Sequence, residues 1–184
     1  MIIARMENKD IEELTLNSKN SLGEEIQYNI TYFKDLEKLE SIALNGFKVD
    51  NNLIEKLNCL KKLKTIIFNH CKFVNDDKLA NNIENTIITY SNIANINIFE
   101  KLDKLKTIEL MGIDEVYINN FIEMKNLAEL SIYNSKIRNS ILINDFINLK
   151  KLKLDGSLVD EEKFSEMLNK SVEFSYNDKY FLES

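Results

Sequence analysis

A spaced pattern of apolar residues recurs along this 184-residue chain and limits what it can fold into. In its clearest form the pattern is Leu-x-x-Leu-x-Leu, with a small or apolar residue three positions later. Five clear copies begin at Leu39, Leu63, Leu105, Leu127 and Leu149. A degraded copy runs through Ile88-x-Tyr90-x-x-Ile93, and an alignment shifted by one residue, through Ile87, Thr89 and Asn92, fits it nearly as well. A repeat of this kind predicts a stacked architecture.

The step between copies is nearly constant, at 20 to 24 residues from position 42 to position 172. Alternation such as Leu152-Lys153-Leu154 predicts a short strand with one buried face. About 22 residues leave room for a turn, a return segment and the next strand in parallel. Because one unit cannot bury its apolar face alone, neighbouring units must stack and share a core. The sequence therefore predicts a solenoid with a parallel sheet of about seven short strands.

The return segments are predicted to contain short helical or irregular stretches. Asp50, Asp76 and Asp160 each precede a run of helical character and are candidate N-caps. The chain contains no proline and four glycines, so no interdomain linker is visible. We expect one domain: an N-terminal cap with a degenerate first repeat (1–35), the repeats (36–169), and a C-terminal strand and cap (170–184). The first and last strands are predicted around Leu14 and Phe174.

The repeat resembles that of the leucine-rich repeat family, L-x-x-L-x-L-x-x-N/C-x-L. Leu149, Leu152, Leu154 and Val159 match this pattern, and Cys71 fills the Asn/Cys position of its own copy. The resemblance implies an α/β solenoid, a horseshoe-shaped right-handed superhelix with a concave parallel sheet. The chain departs from the family because that position otherwise holds the residues Phe47, Ile93, Ile113, Ser135 and Ser157, although 25 asparagines are present. The asparagine ladder is therefore largely missing, and the loop backbone must be satisfied in other ways.

Charge and composition exclude some classes of partner. The formal net charge is −6, which disfavours binding to nucleic acid or to an anionic membrane. It suits a basic partner protein, although solubility alone also accounts for it. The opening MIIARMENKD has no apolar run of signal-peptide length, and no stretch is predicted to span a bilayer. We expect a cytoplasmic protein in which Cys59 and Cys71 are reduced thiols.

The single histidine, His70, lies beside Cys71 and is the obvious candidate for chemistry. In the repeat, however, His70 aligns with Gly46 and Gly112 as a turn residue, while Cys71 points inward. Residues on opposite sides of a chain are poor partners for acid–base or nucleophilic catalysis, and a zinc site needs three or four ligands. No phosphate loop, nucleophile elbow or calcium loop is present. We expect no catalytic residue, metal or cofactor.

What is left for function is the predicted concave face of the sheet. Its candidate binding residues alternate with the buried positions: Thr65, Ile67, Asn69, Ile87, Thr89, Thr107, Glu109, Met111, Glu129, Ser131, Tyr133, Lys151, Lys153 and Asp155. The same alternation places Ser41, Ala43, Asn45 and Ser91 on this face. Exposed Ile67, Met111 and Tyr133 in a polar field are typical of protein contacts, and scattered surface apolar residues are the alternative.

We therefore expect a monomeric, non-enzymatic protein-binding module. An inhibitor or immunity-type protein that neutralises a basic toxin or enzyme is one form of this hypothesis. A self-assembling structural repeat protein and a hydrolytic enzyme that uses His70 are the alternatives.

Overall fold

The structure is a computed structural model, which describes residues 2–4, 10–28, 33, 35–74, 78–79, 82–93, 96–99, 102–121, 124–138, 146–157 and 172–177. Its strands in chain order are β1 (Ile2–Ala4), β2 (Glu13–Asn17), β3 (Ile26–Tyr28), β4 (Ser41–Asn45), β5 (Lys48–Val49), β6 (Thr65–Asn69), β7 (Lys72–Phe73), β8 (Asn85–Thr89), β9 (Thr107–Met111), β10 (Val116–Tyr117), β11 (Glu129–Tyr133), β12 (Ile137–Arg138), β13 (Lys151–Asp155) and β14 (Glu173–Asn177). Helix α1 is Asn51–Asn58, and two 3₁₀ helices are Ile96–Phe99 and Ile118–Phe121.

Within the described residues, the main sheet contains eight parallel strands in the order β14-β13-β11-β9-β8-β6-β4-β2. Strands that are neighbours in the chain are neighbours in space, and equivalent residues pair without slippage, as in Ile42↔Ile66 and Leu130↔Leu152. The predicted solenoid with one parallel sheet is confirmed. The described sheet has eight strands where about seven were predicted, and its outermost strands, β2 and β14, are those predicted around Leu14 and Phe174.

Five coils bury the residues that the repeat singled out. In the coils of β4, β6, β9, β11 and β13, the leucine before the strand and the second and fourth residues of the strand are buried, as Leu63, Ile66 and Phe68 are. A turn between two apolar residues three positions apart precedes the strand. In the coil of β6 these residues are Leu60 and Leu63, and the Leu63 N–H donates a hydrogen bond to the Leu60 carbonyl at 3.2 Å. The first, third and fifth residues of each strand face the other way, which gives the sheet one buried and one exposed face.

The register of the degraded copy is a correction to the sequence-based alignment. Strand β8 pairs Thr86 with Ile66 and Ile88 with Phe68, so Ile88 lies two positions later in the repeat than its alignment with Ile66 predicted. Tyr90 consequently lies outside the core, with 52% of its surface exposed. Ser91 is buried rather than on the exposed face, and it takes the Asn/Cys position that was assigned to Ile93. The one-residue shift is also wrong, because Ile87 and Thr89 lie on the exposed face.

Small polar side chains satisfy the loop backbone where the family pattern would have asparagine. Ser91 Oγ accepts a hydrogen bond from the buried Cys71 N–H at 2.9 Å, and Ser135 Oγ accepts one from Ile113 N–H at 3.0 Å. Each hydroxyl also donates to the carbonyl two residues before it, at 2.8 Å. Ser157 Oγ donates to the Ile132 carbonyl of the preceding coil at 3.0 Å.

Asparagines form a ladder at a different position, directly before the first core residue of the coil. Asn82, Asn126 and Asn148 each donate a side-chain N–H to a backbone carbonyl of the preceding coil, those of Lys61, Asp103 and Lys125. Part of the asparagine content is therefore structural.

Helix α1 confirms one of the predicted caps. Asp50 has extended backbone angles, and its carboxylate accepts the Leu53 N–H at 3.2 Å. Leu53, Ile54 and Leu57 are the buried residues of the helix. The other two predicted caps, Asp76 and Asp160, lie outside the described residues. Return segments in two later coils carry the short 3₁₀ helices, as the sequence led us to expect for the shorter repeats.

Small parallel pairs complete the described part of the fold: β1 with β3, β5 with β7, and β10 with β12. Within the described ranges, no helix has the length and apolar character needed to cross a membrane.

Candidate partner-binding surface

The exposed face of the main sheet is built from three rows of side chains that run across the strands. The register places all fourteen predicted binding residues on this face. The first row contains Glu13, Ser41, Thr65, Asn85, Thr107, Glu129, Lys151 and Glu173. The middle row contains Thr15, Ala43, Ile67, Ile87, Glu109, Ser131, Lys153 and Ser175. The third row, at the carboxyl ends of the strands, contains Asn17, Asn45, Asn69, Thr89, Met111, Tyr133 and Asp155.

Charge is unevenly distributed over this face. Strands β4, β6 and β8 present only uncharged side chains, with Ile67 and Ile87 adjacent at the centre of the middle row. Strands β9 and β11 carry one acidic side chain each, Glu109 and Glu129, whereas β13 carries two lysines and Asp155. The face therefore has a neutral half centred on β4, β6 and β8, with Glu13 at its outer edge, and a half of mixed charge.

Side-chain hydrogen bonds hold the neutral end of the third row in place. Asn45 Nδ2 donates to Asn17 Oδ1 at 2.8 Å, and Thr89 Oγ1 donates to Asn69 Oδ1 at 2.7 Å. Cross-strand polar pairs of this kind each contribute a few tenths of a kcal/mol up to about 1 kcal/mol. These hydrogen bonds therefore order this part of the surface in the absence of a partner.

The residues that directly follow the strands of the main sheet form a further row, which we call the turn row. Six of its members have positive φ angles: Gly46, His70, Tyr90, Gly112, Asn134 and Gly156. Their N–H groups continue the sheet, as when Tyr90 N–H donates to the Met111 carbonyl at 2.8 Å. Glycine adopts this conformation without steric cost, and asparagine tolerates it, whereas a bulky side chain is strained by it.

His70 and Tyr90 are the two bulky residues in the turn row, with φ of 51° and 47°. Their rings stack with centroids 5.3 Å apart and an interplanar angle of 26°. His70 Nδ1 is 2.8 Å from Asn69 Oδ1, which ties the imidazole to the third row. Both side chains are exposed.

The Tyr90 ring extends along the turn row over Gly112. A Cβ atom placed on Gly112 would lie 2.5 Å from Cδ1 and Cε1 of Tyr90. Glycine at this position therefore makes room for the ring as well as accommodating the turn. Met111 and Tyr133 are the next two members of the third row. We call His70, Tyr90, Met111 and Tyr133 together the aromatic edge.

The sequence pointed to Met111 and Tyr133 but not to His70 and Tyr90. The repeat alignment correctly predicts that His70 is a turn residue. It does not indicate that the imidazole ring is exposed and available for contacts. Tyr90 was aligned to a buried position because the register of its coil was wrong. The signal that could have found both is the presence of large side chains at a repeat position otherwise held by glycine or asparagine.

The adjacent His70 and Cys71 do not form a reactive pair. Cys71 is buried on the inner side of the turn, where its thiol donates to the Leu44 carbonyl at 3.2 Å, while His70 is exposed. Burial raises the pKa of the Cys71 thiol, which keeps it protonated at neutral pH. Among the described residues, no three His, Cys, Asp or Glu side chains are grouped as metal ligands.

No protein-family model and no curated protein matches this chain.

Proposed function

We propose that this chain is a non-enzymatic protein-binding module that holds a partner protein against the exposed face of the sheet and the aromatic edge. The observation that carries the proposal is the placement of His70 and Tyr90. Two ring-bearing residues occupy positive-φ positions at an exposed edge, where glycine would adopt the conformation without strain. Backbone strain retained in this way is typical of functional positions.

The composition of the aromatic edge favours a protein partner. Tyrosine and methionine are enriched at the centres of protein interfaces, where they supply contact area at a low entropic cost. Ile67 and Ile87 extend the apolar character onto the neutral half of the exposed face, and the ordered Asn45 and Thr89 provide hydrogen-bonding groups around it.

The area of the exposed face supports an interface that also includes the aromatic edge. Eight strands about 4.8 Å apart and about 17 Å long give a face of roughly 570 Å². A stable interface buries about 800 Å² on each partner. The turn row must therefore contribute if the interface is of standard size.

An inhibitor or immunity-type protein that neutralises a basic toxin or enzyme is the narrower form of the proposal, supported by the net charge of −6. Because strands β4, β6 and β8 present no charge on the exposed face, a basic partner would place its charged groups over the later strands. A cytoplasmic monomer of the leucine-rich repeat class, with α/β coils and a concave exposed face, is part of the same proposal. Its support is the spacing of the repeat and the parallel sheet with one strand per coil.

A self-assembling repeat protein is the second candidate. Strands β2 and β14 are the outermost strands of the described sheet, and such strands can pair with another chain. Sedimentation velocity at several protein concentrations separates the two candidates. A monomer at all concentrations contradicts self-assembly.

Affinity capture with the wild-type chain as bait, followed by mass spectrometry and measurement of Kd for the captured protein, tests the proposal. We expect Met111→Glu combined with Tyr133→Glu to abolish capture while the fold is retained. The matched control is Tyr117→Ser, which removes an exposed tyrosine from β10, outside the main sheet. Capture repeated at high salt tests the charge-matched form, because a partner that is retained unchanged and is itself acidic contradicts it.

Unchanged capture by the Met111/Tyr133 double variant would contradict the proposed surface. Unchanged biological activity of a His70→Ala variant that still binds its partner argues against the hydrolytic alternative.

A further inference from the structure

A cavity at the N-terminal end of the solenoid belongs to none of the surfaces above. Its volume is about 360 Å³, within the range of small-molecule sites. It lies between strands β2 and β3 on one side and helix α1 with the preceding turn on the other. The lining residues are Leu16, Ile26, Tyr28, Phe33, Phe47, Lys48, Asp50, Leu53 and Lys56.

Most of the cavity wall is apolar and fixed by its own contacts. The Tyr28 hydroxyl donates to the Asn17 carbonyl at 2.7 Å and accepts from the Asn17 N–H at 3.0 Å, so its polar end is already bonded. The Tyr28 ring packs against Phe47 with centroids 5.8 Å apart. Leu16 and Phe33 are buried. These side chains offer a preformed surface for a hydrocarbon group.

The charged residues of the lining have a positive excess. Asp50 is engaged as the cap of α1, and its second oxygen is 3.9 Å from Lys48 Nζ. Lys56 is half-buried on α1, and Asp50 and Glu55 are the carboxylates that act on its ammonium. Burial lowers the pKa of Lys56 because the ammonium has lost part of its hydration. An anion bound beside it would restore the lost stabilisation.

We propose that this cavity binds a small amphipathic carboxylate, with its apolar tail against Leu16, Phe33 and Phe47 and its anionic head at Lys56 and Lys48. The apolar lining selects the tail, and the positive excess of two ammonium groups over the Asp50 carboxylate selects the charge of the head. The proposal is independent of the protein-binding surface, because no residue of the cavity belongs to the aromatic edge.

Isothermal titration with three probes of the same chain length tests the site: octanoate, 1-octanol and octylammonium. We expect octanoate to bind more tightly than 1-octanol and octylammonium not to bind. Amide chemical shifts should move at Leu16, Phe47 and Leu53 rather than in the later coils. The Lys56→Gln variant should bind octanoate about ten- to a hundredfold more weakly and 1-octanol unchanged, since a charge-assisted hydrogen bond is lost. Lys61→Gln, at an exposed lysine outside the lining, is the matched control.

Leu53→Phe fills the cavity from the face of α1 and should abolish binding of octanoate and 1-octanol alike. If that variant unfolds, Ile26→Phe fills the same space from β3. Equal binding of octanoate and octylammonium would overturn the assignment of the head group. The absence of octanoate binding, or unchanged binding in the folded filling variant, would overturn the site itself.

Discussion

His70 and Tyr90 stack ring on ring, with centroids 5.3 Å apart, although both have backbone φ angles near 50°. The left-handed conformation costs a residue other than glycine roughly 1–2 kcal/mol. Ring stacking returns about 0.5–1.5 kcal/mol when the rings are well placed. Because two residues carry the strain and share one ring contact, the stacking does not fully offset the backbone cost, and stability alone does not explain why large side chains occupy these turn positions.

Replacing Tyr90 with glycine tests whether the ring contributes to the stability of the fold or to partner binding. We expect Tyr90→Gly to change the free energy of unfolding by no more than about 1 kcal/mol in either direction, because relief of backbone strain offsets the lost stacking. Binding of the captured partner should fall by tenfold or more. Urea unfolding and titration calorimetry measure the two quantities. A variant that loses several kcal/mol of stability would show that the ring serves the fold, and one that retains binding would exclude Tyr90 from the interface.

Substitution of Gly112 tests the contact with the Tyr90 ring. Gly112→Ala places a Cβ 2.5 Å from two ring atoms and also strains a residue with φ of 61°. Gly23→Ala is the matched control, because Gly23 has φ of 80° but no atom within 4 Å of the added Cβ. We expect each to lower the free energy of unfolding by about 1 kcal/mol for the backbone alone, and Gly112→Ala to lower it further or to displace the ring.

A double-mutant cycle completes the Gly112 test. In the Tyr90→Gly background, the cost of Gly112→Ala should fall to that of Gly23→Ala. If the cost is the same with and without the Tyr90 ring, the two residues are not coupled.

The sequence predicted the solenoid because apolar periodicity reports burial directly. Leu39, Leu63 and Leu105 mark equivalent positions of successive coils, and the structure buries all three. The alignment failed between residues 83 and 91 for a physical reason. Thr86 fills a core position with a polar side chain, so the apolar pattern was matched two residues later, at Ile88.

The aromatic edge was harder to predict for a different reason. Periodicity assigns residues to the inside or the outside of a coil, but it does not report which exposed side chains stack on one another. The contact between His70 and Tyr90 depends on the correct pairing of β6 with β8. Once that pairing was misplaced, Tyr90 was assigned to the core.

Thr86 itself provides a prediction about the core. It is fully buried, and its hydroxyl donates to the Ile66 carbonyl at a long 3.3 Å. We expect Thr86→Val to leave the free energy of unfolding unchanged or to raise it by up to about 1 kcal/mol, because a weak hydrogen bond is exchanged for buried apolar surface. Thr65→Val, on the exposed face of the neighbouring strand, is the control. A loss above 1 kcal/mol for Thr86→Val would mean that the hydroxyl is needed to hold this coil.

Ser135, at the Asn/Cys position of its repeat, should be costly to replace. Ser135→Ala takes away the acceptor of the buried Ile113 N–H, and we expect a loss of about 1–3 kcal/mol in the free energy of unfolding. Ser131→Ala, on the exposed face of the preceding strand, should cost less than about 0.5 kcal/mol. Chemical denaturation measures both variants. Equal effects of the two substitutions would show that the backbone amide finds another partner.

Glu115 gives a prediction about pH. Its carboxylate accepts hydrogen bonds from Arg138 Nη2 at 2.7 Å and from the Tyr117 hydroxyl at 2.7 Å, and these hydrogen bonds lower the pKa of Glu115 below its ordinary value. A carboxyl with a lowered pKa stabilises the folded chain above its unfolded pKa of about 4.3. That stabilisation is lost as the pH falls through the folded pKa.

We expect Arg138→Gln to move the pKa of Glu115 back towards its ordinary value and to reduce the part of the acid sensitivity that this group contributes. A carboxyl ¹³C titration measures the pKa directly. Lys136→Gln is the control, since Lys136 acts on Glu115 only through its charge and should shift the titration less. An unchanged Glu115 titration in Arg138→Gln would mean that solvent screens the pair and that the contact between β10 and β12 adds no pH dependence to folding.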